Sequence, residues 1–276
     1  MSERMFVSGS TGFVGSKLIR VLKPSKPNLY LYKRGENIVE AVQSFNPDII
    51  FHLAGELKDE SQMSKTNINL TLELLGATMD LNYRAFIYIG TSSEYGVKDR
   101  PMKEEDECNP TTLYACTKFT GTMACQFMAN TFNKNIIILR PFSLYGTGEG
   151  NDRFFPTAIR ACLIGKTLEL WDGNHDWIHI DDFTRACLYF SKRNLVGQII
   201  NIGTGIQTSN DEVIKLIEEL CKKKMKVKKH RGYRRVGDSE VWVADISKAL
   251  GLDWTPTVTL REGLERQIDE IRRKIV

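Results

Sequence analysis

Met5-Phe6-Val7-Ser8-Gly9-Ser10-Thr11-Gly12-Phe13-Val14-Gly15-Ser16-Lys17-Leu18-Ile19-Arg20-Val21-Leu22 runs from a short apolar segment through three glycines into a helical pattern that stops before Pro24. The apolar segment reads as a strand. Glycines three residues apart allow a tight turn and let backbone N–H groups approach a pyrophosphate, while the helix N-terminus adds favourable partial charge. Gly9, Thr11, Gly12, Phe13, Val14 and Gly15 are therefore candidate cofactor contacts. Such glycine triplets also occur in ordinary turns; the strand–turn–helix setting is what favours a dinucleotide.

The same rhythm continues outward. Leu29–Tyr32, Asp48–Leu53, Ala85–Ile89 and Asn135–Leu139 are short apolar runs, separated by helical patterns at Ile38–Phe45, about 63–81 and about 113–132. Short buried strands alternating with helices predict an α/β fold: a doubly wound parallel sheet of the Rossmann type. After Tyr145-Gly146 the rhythm loosens into glycine-rich and charged loops. The expected division is a dinucleotide-binding domain over 1–145 with about 176–202, and a smaller α/β substrate lobe over 146–175 and 203–276, on the sheet's C-terminal side, where ligands of such folds bind. The basic stretch Lys222–Lys229 reads as a helix end entering a solvated strand.

The bulk properties bound the function. The 276 residues carry 42% hydrophobic and 26% charged side chains and a net charge of +4. That balance is ordinary for a globular enzyme and too mild for a nucleic-acid binder. Six cysteines form no C-x-x-C pair and histidine is sparse, so no metal site is expected. With no signal-like start and no apolar stretch long enough to span a bilayer, a cytoplasmic protein without membrane contact is expected.

Strand two ends in Tyr32-Lys33-Arg34-Gly35, where an NAD site usually places an acid for the ribose diol. Lys33 and Arg34 suit the 2′-phosphate of NADP(H), which is favoured, with NAD(H) the alternative. Only thirteen residues separate Arg34 from Asp48, room for one helix and no extra strand. Tyr114-Ala115-Cys116-Thr117-Lys118 puts a phenol and an ammonium on one helix face. The ammonium favours the phenolate, so Tyr114 can exchange a proton with a substrate hydroxyl while hydride moves at the carbon. Upstream, Gly90-Thr91-Ser92-Ser93-Glu94-Tyr95-Gly96 sets a hydroxyl cluster at the end of a buried strand.

Taken in order, these pieces resemble the extended short-chain dehydrogenase/reductases that act on nucleotide sugars. The resemblance extends through His52-Leu53-Ala54-Gly55, Arg140-Pro141-Phe142-Ser143-Leu144-Tyr145-Gly146, Asp176-Trp177-Ile178-His179, Asn201-Ile202-Gly203-Thr204-Gly205, Arg235-Val236-Gly237-Asp238 and Ala244–Lys248. It implies Tyr114 as acid/base, Lys118 as its partner and Thr91 as the group bonded to the reacting oxygen. It places Leu53, Ala54, Gly55, Pro141, Ser143 and Leu144 against the cofactor. Ser92, Ser93, Glu94, Arg153, Phe154, His175, Arg235 and Asp238 are assigned to a nucleotide-diphosphate sugar, and a homodimer is implied through helices about 63–82 and 113–132.

Departures from the family pattern narrow the chemistry. Related 4,6-dehydratases carry Asp and Glu where Ser92 and Ser93 stand, and Glu94 could serve elimination only after a one-residue realignment. Bifunctional epimerase/reductases carry Cys at the Ser93 position. His175 replaces a phosphate-binding Arg, and an exposed loop histidine is the other reading of that position. The expected activity is a 4-keto-6-deoxyhexose 4-reductase, the alternative a nucleotide-sugar 4-epimerase. A dehydratase and a non-catalytic cofactor sensor rank behind both.

Overall fold

The inner apolar runs become parallel strands buried on both faces, so continuous Ile and Phe side chains replace the alternation of a half-solvated sheet, while the strand at Asn28–Leu31 stays partly exposed. The computed structural model describes residues 2–233 and 239–275. The chain divides into two units: Met1–Gly96, Glu104–Pro141 and Thr184–Asn201 form the first, and Val97–Lys103, Phe142–Phe183 and Ile202–Val276 the second.

In the first unit, β1 (Arg4–Ser8), α1 (Phe13–Leu22), β2 (Asn28–Leu31), α2 (Ile38–Phe45) and β3 (Ile49–His52) are followed by α3 (Glu60–Met63), a π-helical turn (Ser64–Asn69) and α4 (Leu70–Ala77). Then come β4 (Ala85–Ile89), a short 3-10 turn (Ser92–Tyr95), α5 (Leu113–Phe132) and β5 (Ile136–Pro141). The second unit begins with β6 (Ser143–Tyr145), α6 (Phe154–Ile164), β7 (Thr167–Asp172) and β8 (Asn174–His179); α7 (Ile180–Phe190) and β9 (Ile199–Ile202) return to the sheet. β10 (Gln207–Ser209), α8 (Asn210–Cys221), β11 (Lys226–Tyr233), α9 (Ser247–Gly251) and α10 (Leu260–Ile275) complete the order.

The central sheet runs β2-β1-β3-β4-β5-β9. The register aligns Ser8 with His52 and His52 with Tyr88, so the C-terminal ends of β1, β3 and β4 lie side by side. β2 lies at one edge of the sheet and β9 at the other, with the single helix α2 between β2 and β3 in the chain. One sheet face packs Phe6, Ile50, Phe86 and Ile138 against Val42, Leu74, Leu75 and Ala129 of the helices. Each fully buried Phe or Ile contributes roughly 1.5–3 kcal/mol relative to exposure.

Helix α5 spans the residues its pattern predicts, 113–132. The segment expected as one regular helix over 63–81 is instead a run over 60–77 interrupted by the π turn, in which the Leu70 N–H reaches back to the Lys65 carbonyl. The wider turn carries Asn67 fully into the interior. π turns of this kind often sit at functional sites.

The second unit holds a three-stranded sheet ordered β10-β8-β6 and a parallel pair, β11 with β7. The basic stretch is the end of α8 and the start of β11, as its composition predicts. Phe155, Ile159, Leu168, Leu170, Ile217, Leu264 and Ile268 form this unit's core.

Candidate active site

The glycine loop is built so that side chains are excluded from two of its three positions. Gly9 has φ +72°, and a Cβ there would lie 2.5 Å from the Ala54 nitrogen. A Cβ on Gly15 would stand 2.1 Å from the Gly9 carbonyl oxygen. Gly12 is the extended N-cap residue of α1 and supplies no side-chain cap, so the first helical N–H groups at Phe13, Val14 and Gly15 lack a side-chain acceptor. Close backbone approach and open helix N–H groups are what a pyrophosphate requires, so the residues present fit a bound dinucleotide. At the far end of this side, Lys33 and Arg34 are exposed in the turn after β2. The Arg34 guanidinium lies 3.7 Å from a Glu56 carboxylate oxygen. The other Glu56 oxygen accepts from the backbone N–H groups of Leu57, Lys58 and Asp59, which with Arg34 hold its carboxyl below the usual range against the opposing effect of burial. Sequence reading gives Glu56 no role, since its partner is 22 positions away.

Behind the loop runs a buried polar chain. Thr71 Oγ1 donates to the Asn67 carbonyl at 2.9 Å, so it accepts a hydrogen bond from His52 Nε2–H, also at 2.9 Å. His52 Nδ1 then accepts from the Ser8 hydroxyl at 2.6 Å, and Ser8 Oγ accepts the Ala54 N–H at 3.4 Å. Burial, and secondarily the Lys118 charge, push the His52 imidazole down to about 3, so the ring is neutral. Asn67 continues the chain: its Oδ1 accepts the Glu56 N–H, and its Nδ2 donates to the Glu56 carbonyl and to Thr117 Oγ1. Thr117 donates in turn to the Tyr114 carbonyl at 2.9 Å. The cofactor-side loop Leu53–Glu56 and helix α5 are thereby bolted to one buried side chain. No motif announces Asn67; the π turn that points it inward is invisible in a pattern read as a regular helix.

On α5, Tyr114 is half-buried and Lys118 fully buried one turn later. The Lys118 ammonium sits 4.3 Å above the Tyr88 ring, and the Tyr88 hydroxyl donates to the Lys118 carbonyl. Burial brings Lys118 down to about 8, while the Glu94 carboxylate and Cys125 act in the opposite direction. Thr91 is the N-cap of the 3-10 turn, its hydroxyl accepting the Ser93 N–H. Ser92 is buried and Ser93 partly exposed in the first residues of that turn.

Glu94 corrects an expectation. Rather than facing substrate, it is fully buried: Oε1 accepts the Thr91 N–H at 2.8 Å, and Oε2 takes both Nε and one terminal nitrogen of Arg140 at 2.9 and 2.8 Å. A carboxylate at the Val-like position of a hydroxyl cluster looks functional in sequence, and only the Arg brought up by β5 shows it is internal.

The second unit carries the other candidates. Ser143 and His175 face each other across β6 and β8, with Oγ and Nδ1 3.2 Å apart. His175 is thus a half-buried strand residue, and the loop-histidine alternative is set aside. The Phe154 ring stacks on Trp177 at 5.7 Å and 10°, and His175 lies 4.6 Å from the same indole. Trp177 Nε1 is buried with no hydrogen-bond acceptor among the described residues. Arg153 precedes α6, with its Nε 3.6 Å from Glu149. Leu144 pairs with Ile178 in the β6–β8 ladder. Asp176 explains three motifs together: its carboxylate accepts the N–H groups of Thr204, Gly205 and Ala244 and the Thr204 hydroxyl, joining Asp-Trp-Ile-His to the segments around 203 and 244. Arg235 and Asp238 lie outside the described residues. The predicted residues therefore fall in two sets: the glycine loop, Lys33, Arg34, Leu53–Gly55, Thr91–Ser93, Tyr114, Lys118 and Pro141 in the first unit, and Ser143, Leu144, Arg153, Phe154 and His175 in the second.

Among the described residues no group of acidic, His and Cys side chains is arranged to hold a metal, and no helix is long and apolar enough to cross a membrane. Known proteins resemble the chain over nearly its whole length. A Bacillus subtilis (strain 168) protein described as an uncharacterized UDP-glucose epimerase, YtcB, is 29% identical over 308 residues, covering 96% of each chain. The GDP-6-deoxy-D-mannose reductase of Pseudomonas aeruginosa is 23% identical over 100% of this chain and 99% of its own. The crystal structure of UDP-glucuronic acid 4-epimerase from Bacillus cereus, in complex with UDP-glucuronic acid and NAD, matches with a TM-score of 0.89 at 27% identity, over 98% of this chain and 99% of that one. With the profile of the NAD dependent epimerase/dehydratase family matching residues 5–203, the chain belongs to that family and is an enzyme of the extended short-chain dehydrogenase/reductase type.

Proposed function

We propose that this enzyme modifies a nucleotide-diphosphate sugar by hydride transfer at C4, as an NADP(H)-dependent 4-keto-6-deoxyhexose 4-reductase. The observation that carries the reading is the lack of a usable carboxylate after Thr91. Ser92 and Ser93 are hydroxyls, and both Glu94 oxygens are taken by Thr91 and Arg140. Elimination of water needs an acid and a base there; hydride exchange at a carbinol carbon does not. The cofactor, held by Gly9–Gly15 with Leu53–Gly55, Pro141, Ser143 and Leu144, supplies the hydride when bound. Tyr114 gives its phenolic proton to the C4 oxygen, Thr91 donates a hydrogen bond to that oxygen, and the Lys118 ammonium stabilises the phenolate left behind.

Reduction rather than internal exchange is favoured by the cofactor side. β2 is an edge strand that ends in Lys33 and Arg34, with a single helix before β3. Two cations suit NADPH, and a net reductase must release its spent cofactor. The relative that aligns over the whole chain is named as a reductase. A second reading, a 4-epimerase with retained NAD, is favoured by the names of the B. subtilis and B. cereus relatives. Phe154, Trp177, Arg153 and His175 are proposed to meet the nucleotide, with Ser92 and Ser93 at the sugar and Arg235 and Asp238 at the diphosphate and ribose. A cytoplasmic homodimer is proposed through α3–α4 and α5, which expose Leu72, Met123 and Phe127 at 49%, 50% and 61%. The purified protein decides between the two activities. Stoichiometric NADPH oxidation with a nucleotide-linked 4-keto sugar supports the reductase; tightly retained NAD and redox-neutral interconversion of two C4 epimers sinks it.

A further inference from the structure

We infer that Glu94 and Arg140 form a buried clamp that positions Thr91 and supports the ammonium of Lys118 during proton transfer, a role that rests on reading Thr91, Tyr114 and Lys118 as the reacting set. Thr91 follows the sheet strand β4 and precedes a 3-10 turn of four residues, whose backbone bonds run from the Glu94 N–H to the Thr91 carbonyl and from the Gly96 N–H to the Ser93 carbonyl. Two side-chain bonds close it: Ser93 N–H to Thr91 Oγ1, and Thr91 N–H to Glu94 Oε1. The second is only as firm as Glu94 is fixed, and Glu94 is fixed by two nitrogens of Arg140. Beyond Glu94, Arg140 has two further supports, one of them anchored in turn. Its guanidinium lies 4.5 Å from the Tyr95 ring, one nitrogen approaches Cys108 Sγ at 3.3 Å, and Tyr95 is anchored through its hydroxyl to Asn201 at 2.8 Å.

Gly90 makes the approach possible, since a Cβ there would lie 2.6 Å from Glu94 Oε1 and 3.2 Å from Arg140 Cγ. A buried ion pair is a costly way to hold a turn when apolar packing would serve. What it adds here is a carboxylate held in one place, and that carboxylate acts on Lys118 against the effect of burial. The groups that face Lys118 are Tyr88 beneath it on β4, neutral His52 on β3, Cys125 further along α5, Glu94, and Tyr114 one turn before. Burial alone works against the Lys118 charge, and Glu94 is the facing carboxylate that restores part of it. Removing the carboxylate charge therefore makes Lys118 lose its proton at lower pH and loosens Thr91 together.

The test uses the full-length enzyme with its cofactor and substrate. Glu94→Gln keeps an acceptor for Thr91 and removes the charge; Glu94→Gln with Arg140→Gln removes both charges, and carries the test if the single variant does not fold. The expected result is a fall in kcat of about tenfold or more, KM values for sugar and cofactor within about twofold, and an alkaline limb of the kcat profile moved to lower pH. A residue that only stabilised the fold would lower the melting temperature without moving that limb. In a Thr91→Ala background the Glu94→Gln loss is expected to shrink, as coupled sites require. A folded Glu94 variant with unchanged kcat and an unmoved limb overturns the clamp while leaving the C4 reading intact. If Tyr114→Phe and Thr91→Ala are themselves fully active, the reacting set is wrong and the clamp falls with it.

Discussion

The two sets of candidate residues are held in opposite ways. In the first unit each group proposed to react rests on a buried partner: Thr91 on Glu94 and Arg140, the Tyr114 carbonyl on Thr117 and Asn67, Lys118 on the Tyr88 ring. In the second unit the recognition candidates Phe154 and His175 each lie against Trp177 as half-buried rings, and Ser143 Oγ lies 3.2 Å from His175 Nδ1. Proton transfer tolerates little misplacement, so its groups need interlocked polar support. Stacking tolerates several bases and sugars, because every base has a π face. Under the proposed function, the groups assigned to chemistry are fixed and those assigned to substrate choice are left adjustable.

The largest expected effect tests the fixed side directly. Tyr114→Phe removes the proton donor and leaves the ring, so kcat is expected to fall by about 10²–10⁴, with NADPH affinity retained in a thermal-shift titration. A variant within about tenfold of wild type would mean the tightly held set is scaffold and not machinery.

Next comes the buried support itself. His52 is neutral in the fold with its proton affinity pushed down to about 3, against an ordinary value of 6.5. The unfolded chain therefore binds more protons between those values, so this contribution to stability is full above pH 6.5 and lost as pH falls toward 3. The cost reaches on the order of 4 kcal/mol at the acid end. His52→Gln is expected to flatten the dependence of unfolding free energy on pH below 6.5, measured by urea melts. An unchanged slope would show that the ring is not the acid-labile part of the relay.

That contrast between the units also governs what could be read without coordinates. The strand–turn–helix at 4–22 and the helix at 113–132 follow from local patterns, glycine spacing and apolar period, and the structure reproduces both. Tyr114 and Lys118 were legible because one helical turn relates them. Glu94 was misread because its meaning lies in Arg140, 46 residues on. Asn67 was missed because one π turn rotates it inward against the regular period. Asp176 sits in a motif whose purpose is to tie backbone N–H groups at Thr204, Gly205 and Ala244, partners no local pattern links. Local geometry is written locally, whereas buried polar partnerships are written in pairs far apart.

A smaller effect is expected on the adjustable side. Trp177→Leu removes the platform on which Phe154 stacks, and should raise KM for the nucleotide sugar about tenfold with kcat within about twofold, since stacking is worth about 1–3 kcal/mol per base. An equal fall in kcat with unchanged KM would move Trp177 into the reacting machinery and erase the distinction drawn between the units.

The smallest effect lies at the cofactor's far end, where the first unit itself becomes loosely held. Arg34 is 77% exposed and its Glu56 partner is 3.7 Å away, so the pair is screened by solvent and holds Arg34 weakly. Glu56, by contrast, is pinned by three backbone N–H groups and keeps its charge in place. Under the NADP(H) reading proposed above, it would compete with a 2′-phosphate for Arg34 without being able to follow it. Arg34→Ser is expected to raise KM for NADPH by about three- to fivefold while leaving NADH unchanged. Glu56→Gln, by freeing Arg34, is expected to lower KM for NADPH by about two- to threefold, an advantage that fades in high salt because the groups are exposed. If Arg34→Ser changes neither KM, the basic turn is a solvated turn. The epimerase reading, with NAD kept in place by the glycine loop and the buried chain behind it, would then gain over the reductase.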